Sequence, residues 1–442
     1  MSGLISTVGL WGADKAVALS GYTPHQHVPS PIEPHFAAPE RVLSLTFGPF
    51  ALAAAVARAA TTRDDAPVAV LDALQRSTLP MLETMIEDGA TFGLSTHFQY
   101  LADTERTFLA ARVGGGITDL YMNTLGYTWR ANAACLSSTL DPHADFIYEG
   151  GNASGYGVVL AEAHGSFAAN ASAQSVHLQS KNKYLRQVKP YLAVTSPYGK
   201  VIHGYSIAFG SRPRAPGAFL SLSETKITKP RGKKGAPPPS QTGEITGEGS
   251  TPTSIALAAH RSNFFLMGGD DVVDWIDWVR TVDRVPPEPT PIEFLRLQYA
   301  GRRYLVHASS LWWVDPAHDL LRELFDYQHQ WRHTLRWPPR RIVDRRPQLG
   351  WFAIEETAGT DFLKLLTSII QNGGRSIPAT LSLPGFAPVG FGLGGEGVGR
   401  GRDDADYQYA LFRDGLALLG DPNRGRLLGI TTWSPKDGVF PQ

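Results

Sequence analysis

Apolar positions recur along this chain at two spacings, and the change from one to the other marks out its elements. Phe50 to Ala60, FALAAAVARAA, is apolar on nearly every side, as a helix buried in a core would be. VAVLDALQRSTLPMLETMIEDG, within about 66 to 92, keeps helical spacing with Pro80 as a break, and Thr104 to Tyr127 resumes it, loosened midway by Gly114, Gly115 and Gly116. The period then shortens. RANAACLSST reads as a strand, and ADFIYE and YGVVLAE, rich in aromatic and β-branched residues, read as the arms of a β-hairpin around a Gly-, Asn- and Ser-containing turn. Helical spacing returns over 172 to 189, SAQSVHLQSKNKYLRQVK, ended by Pro190, and GKVIHGYSIAFGS (199 to 211) is a further strand. Beyond 255, SIALAAHRSNFFLM, DDVVDWIDWVRTV and PAHDLLRELFDYQHQWRHTL predict amphipathic helices, and PIEFLRLQYAGRRYLVHAS predicts a hairpin around Gly301.

The hairpin from Pro142 to Ser166 carries the chemistry. A turn centred between Ala153 and Ser154 places Asp145 opposite Glu162 and His143 opposite His164. Side chains alternate faces along a strand, so these four polar residues converge on one face of an otherwise apolar hairpin. Such a cluster costs stability unless it is hydrogen-bonded, binds a metal or meets water. The competing reading makes Asp145 and Glu162 ordinary hairpin-end residues and His164 a turn residue.

An Asp on one strand, then Glu162-Ala163-His164-Gly165 ending its apolar neighbour, then a helix, resembles the restriction-endonuclease-like nuclease superfamily and its PD-(D/E)xK signature. The resemblance spans about residues 96 to 211. Asp145 matches the first acid and Glu162 the second; no Pro directly precedes Asp145, and His164 stands where the family usually has Lys. The resemblance implies an α-β-β-α-β core and a metal-dependent nuclease with Mg²⁺ or Mn²⁺ on Asp145 and Glu162; the hairpin register adds His143 as a further candidate ligand. Some relatives supply the missing lysine from the helix that follows, which makes Lys181 and Lys183 candidates beside His164; Glu105 or Asp119 on the preceding helix are candidates for an extra acid, against a plainer reading as solvated charges. Two carboxylates holding a divalent cation suit phosphodiester hydrolysis, because the reaction needs a water made nucleophilic near neutral pH and positive charge against the phosphorus centre. Lysine adds a fixed charge there, whereas histidine, with an ordinary pKa of about 6.5, is partly neutral and suits a base or a ligand.

Composition narrows the partner. Forty-one basic and 41 acidic residues cancel, so nucleic acid must be met by local patches. Residues 224 to 254 break the composition with Lys226, Lys229, Arg231, Lys233 and Lys234 followed by Pro, Gly, Ser and Thr, which reads either as a phosphate-contacting segment or as a solvated linker. Arg336, Arg340, Arg341, Arg345 and Arg346, with Trp331 and Trp337 nearby, form a second basic cluster, which reads either as phosphate contact with base stacking or as ordinary Arg-Trp stacking on the surface. The expected organisation is an α-rich region over 1–95, the nuclease-like core with its central mixed sheet over 96–225, a basic linker over 226–254 and an α/β region over 255–442. DNA is expected ahead of RNA, with protein partners open. The alternative function is a non-catalytic nucleic-acid-binding or scaffold protein that retains the core.

Other motifs carry less. The first residues lack a basic n-region and their apolar run is interrupted by Asp14 and Lys15, so export is not expected; with one cysteine, Cys135, read as a buried small hydrophobe, the expectation is a cytoplasmic protein without a membrane partner. His25-x-His27, in a proline-rich stretch expected to be an extended wrapping segment, and His329 with His333 lack further ligands at metal-site spacing. Gly390-x-Gly392-x-x-Gly395 lacks the Lys-Ser/Thr of a phosphate loop and reads as a loop.

Overall fold

In the computed structural model the hairpin lies near one edge of a mixed sheet assembled from residues far apart in the chain. Placement is described for residues 4–6, 11–29, 36–63, 66–67, 70–71, 81–136, 141–152, 156–228, 249–281, 285–307, 349–374, 377–393, 408–420 and 424–441. From edge to edge the strands are Phe391–Leu393, Ser44–Phe47, Lys15–His27, Ala218–Ile227, Gly199–Ser211, Tyr156–Ser166, Phe146–Asn152 and Arg130–Asn132. Tyr156–Ser166 pairs in parallel with Gly199–Ser211, and Lys15–His27 in parallel with Ala218–Ile227; the other neighbours in this order are antiparallel. Parallel neighbours need a long crossover: the helix Ala173–Lys183 supplies it for the first pair, whereas the second is joined through most of the sheet's other strands.

The helices are α1 (Pro49–Ala60), α2 (Asp103–Leu125), α3 (Ala173–Lys183), α4 (Thr253–Leu266), α5 (Asp270–Arg280) and α6 (Glu356–Gln371). Ser172 begins α3 by accepting a hydrogen bond from the Ser175 amide at 3.1 Å, an N-cap that satisfies one otherwise free donor. The helix then widens into a π-turn at Tyr184–Val188 and tightens into a 3₁₀ turn at Lys189–Tyr191 before the chain reaches Gly199. α2 runs unbroken through Gly114, Gly115 and Gly116, where the sequence suggested a loosened helix. The reason is contact: a Cβ on Gly114 would stand 2.6 Å from the Gly165 amide nitrogen, and one on Gly116 2.5 Å from a Val56 methyl of α1. These glycines let backbones approach.

A second sheet is antiparallel, in the order Tyr409–Leu411, Leu416–Leu419, Leu349–Glu355, Arg302–His307, Ile292–Tyr299, Arg426–Ser434 and Gly438–Pro441, with Leu4–Ser6 also on Leu349–Glu355. One buried apolar cluster runs from Trp11 to Trp433 through both sheets. Where the sequence suggested an α-rich beginning, Lys15–His27 is a 13-residue strand, and its residues 22–27 belong to the sheet rather than to a wrapping segment. Cys135 lies exposed in a 3₁₀ turn at Ala133–Leu136, not buried in a strand. Asp119, expected as a solvated helix charge, is fully buried: Arg58 Nε donates to it at 2.8 Å, and Arg58 Nη1 donates to Asp414 at 2.9 Å. Among the described residues no helix is long and apolar enough to cross a membrane.

Candidate functional site

The strands Phe146–Asn152 and Tyr156–Ser166 pair Phe146 with Ala161, Ile147 with Leu160 and Tyr148 with Val159, and the register shifts only beyond Glu149, towards the turn. That pairing brings Asp145, just before the first strand, next to Glu162 on the second. Their carboxyl groups lie within hydrogen-bonding reach of one another. The Ala163 amide also donates to Asp145 Oδ2 at 2.9 Å, so Asp145 is held at both the carboxyl of its neighbour and the backbone that follows it.

α3 lies against the Glu162 side of this pair. Lys183 Nζ is 3.0 Å from Glu162 Oε1, and Gln187 Nε2 donates to Glu162 Oε2 at 3.2 Å and to the His143 carbonyl at 2.7 Å. Tyr191 Oη donates to the Pro142 carbonyl at 3.2 Å. Lys183, Gln187 and Tyr191 are successive fourth residues spanning the π-turn and the 3₁₀ turn, so the irregular end of the helix grips both the Glu162 carboxyl and the chain leading into Asp145. On the opposite face of Tyr156–Ser166, α2 closes so tightly that a Cβ on Gly165 would meet the Ala110 carbonyl oxygen at 1.7 Å. Backbone contact on one face and polar contact on the other fix where residues 162–164 lie.

Burial decides the protonation of the pair. Glu162 is 1% exposed, and removal from water, followed by the neighbouring Asp145 charge, pushes its carboxyl up to about 9 even though Lys183 pulls it down. At neutral pH the short contact to Lys183 is therefore made to a largely protonated acid, and the upward direction outweighs the attraction that the distance alone suggests. Asp145 keeps an exposed surface, but protein atoms crowd its carboxyl oxygens; this desolvation raises it, against the Ala163 amide. His164, half-buried, is lowered by burial and then by the charge of Lys183, so its neutral form is favoured.

The remaining candidates fall elsewhere. Lys181 is exposed and its charge acts on His25, in the strand Lys15–His27. His143 is half-buried and its Nδ1 contacts the carbonyl of Ala144 at 2.7 Å. Glu105 closes the first turn of α2 by accepting from the Ala102 amide, and Asp119 is engaged by Arg58. Lys226 is exposed near the end of Ala218–Ile227. Lys229, Arg231, Lys233 and Lys234, Arg340, Arg341, Arg345 and Arg346, and His329 and His333 lie outside the described residues. Gln187 and Tyr191 were not singled out from the sequence; their four-residue spacing after Lys183 was the available signal.

Among the described residues no set of three or more His, Cys, Asp and Glu side chains is arranged to hold a metal ion. Two carboxyl groups in contact still fit Mg²⁺ or Mn²⁺, because Mg²⁺ commonly takes only one or two protein carboxylates and completes its shell with water and substrate phosphate. No protein-family model, curated protein or solved structure matches this chain.

Proposed function

We propose that this protein is a metal-dependent nuclease that hydrolyses phosphodiester bonds, with DNA as substrate. The observation that carries the reading is the array Asp145–Glu162–Lys183: two carboxyl groups in contact, with an ammonium 3.0 Å from one of them, delivered by the helix that follows the hairpin. The order of α2, the antiparallel strands of the hairpin, α3 and the parallel strand Gly199–Ser211 supports a restriction-endonuclease-like core. Lys183 fills the charge role left vacant by His164.

Asp145 and Glu162 would hold Mg²⁺ or Mn²⁺, which when bound supplies a nucleophilic water near neutral pH and charge against the phosphorus centre. Lys183 places a fixed positive charge beside the same carboxyl, where it stabilises developing negative charge on the phosphoryl oxygens. Gln187 orients Glu162 by its amide hydrogen bond, and with Tyr191 it holds the segment 142–145 in place. His164, favoured in its neutral form, is available to accept a proton from water.

Calorimetric titration of Mn²⁺ into the full-length protein, paired with cleavage of labelled DNA, tests this. The expected result is metal binding by the native protein and none by Asp145→Asn. Lys183→Gln is expected to bind Mn²⁺ while cleaving roughly 100- to 1000-fold more slowly, the scale of losing one charge-stabilising group. Absence of both Mn²⁺ binding and cleavage in the native protein excludes the nuclease. The near-complete burial of Glu162 favours the second reading, a scaffold or binding protein that keeps this core without its chemistry, and DNA binding without Mn²⁺ uptake is its signature.

A further inference from the structure

Helix α3 and its continuation to Tyr191 contain Lys181, Lys183, Arg186 and Lys189 and no Asp or Glu, in a chain whose charges cancel overall at 41 against 41. Among the described residues Lys183 has Glu162 as its partner, while Lys181, Arg186 and Lys189 are exposed and make no ion pair. The strands beneath do not compensate them. Lys15–His27 and Gly199–Ser211 contain no acid, Tyr156–Ser166 contains only Glu162, and the one acid of Ala218–Ile227, Glu224, accepts a hydrogen bond from Tyr22.

The excess is concentrated further by position. His25 stacks on Tyr184 of the π-turn at 4.0 Å between ring centroids, and burial, then the charges of Lys189 and Lys181, lower its pKa. These exposed lysines have no ion-pair partner among the described residues, so their charge is open to an anion from solution. We propose that this face of α3 and its continuation, with Lys181, Arg186 and Lys189, binds the phosphodiester backbone of a nucleic acid. The proposal rests on the nuclease reading only for its choice of occupant, since the adjoining site on the same helix has chemistry suited to phosphodiesters. Leu178 and Leu185 are also exposed on this helix, so an anionic lipid surface is the competing partner.

The test uses full-length Glu162→Gln, so that substrate is not consumed, and follows fluorescence anisotropy of a labelled 30-nucleotide DNA, single-stranded and duplex, as salt rises from about 50 to 200 mM. Each lost phosphate contact lowers the slope of log affinity against log salt by about 0.9 on duplex and 0.7 on single strands. Adding Lys181→Gln, Arg186→Gln and Lys189→Gln is expected to lower the duplex slope by about 2 to 3, so that affinity falls roughly 40-fold less over that salt range. Circular dichroism of the same variant checks that the helix is retained. An unchanged slope overturns the proposal, as does binding to phosphatidylserine vesicles that the three substitutions abolish while DNA binding persists. If the native protein cleaves DNA and the slope is unchanged, this inference fails and the nuclease stands. If the slope falls and the native protein neither binds Mn²⁺ nor cleaves, the nuclease fails and this surface stands.

Discussion

At Glu162 a single side chain holds both the cost and the use of the site. Its carboxyl is raised from an ordinary 4.5 to about 9 by burial and then by Asp145. An unfolded chain ionises this group from about pH 4.5 upward, whereas the folded protein keeps the proton until about pH 9, so the stability it contributes is complete at low pH and is lost as pH rises through that window. Glu162→Gln cannot ionise in either state. Without divalent metal its melting temperature is expected to gain on the native protein as pH rises from about 4.5 to 9, by at least about 2 °C in all. With Mn²⁺ present the order should reverse, because only the native protein gains from binding. A melting difference that stays level across the window would show Glu162 ionised in the metal-free fold. Asp145 and Glu162 were legible as neighbours once the turn was centred between Ala153 and Ser154; choosing Lys183 over Lys181 required knowing how α3 turns, which depends on packing against Gly204 and Gly210 beneath it.

At the scale of elements, the crossing of α2 over the strand Tyr156–Ser166 sets the site. Contact between Gly114 and Gly165 leaves no room for a methyl group on either, and Ala110 supplies a backbone oxygen as the obstacle. Gly165→Ala is expected to destabilise the protein by about 3 kcal/mol or more in urea unfolding, at the upper end of overpacking costs, because backbone rather than a flexible side chain must move. Gly392→Ala, whose added methyl group meets nothing within 4 Å, is the control and should cost well under that. Equal costs in the two variants would mean that α2 shifts freely, and the account of how residues 162–164 are held would go with it. Glycines spaced along a helix look identical in sequence whether they loosen it or permit close approach; the partner backbone distinguishes them.

Across the whole molecule, a buried group of charges joins segments that the sequence keeps far apart. Arg58 of α1 links Asp119 of α2 to Asp414, and Arg130, beside the hairpin, lies 3.8 Å from Asp119 and 3.6 Å from Asp414, all four side chains being fully inaccessible. Asn263 of α4 donates to Asp414 and Tyr148 of the hairpin donates to Asp119. Arg58→Met leaves two buried carboxylates facing one arginine, and the expected loss is about 3 to 5 kcal/mol. Both sheets contribute to one buried cluster, so near-ultraviolet dichroism and tryptophan fluorescence should lose signal at the same, lower temperature in this variant. Two separated transitions would mean that the sheets fold independently and that the charge group does not couple them.

The order of helices and strands through the hairpin, its register and the face shared by Asp145 and Glu162 were present in the sequence, because hydrophobic period and side-chain alternation are local properties. Tertiary structure alone decided that Lys15–His27 is a strand of the same sheet, since a parallel partner 200 residues away, as with Thr23 and Ser223, leaves no local trace. It likewise decided that Asp119 is buried: a helix charge reads as solvated until Arg58 and Tyr148 are found around it. The same holds at the site, where the sequence offered Lys181 and Lys183 alike and only the packing of the helix put Lys183, its last regular residue, beside Glu162.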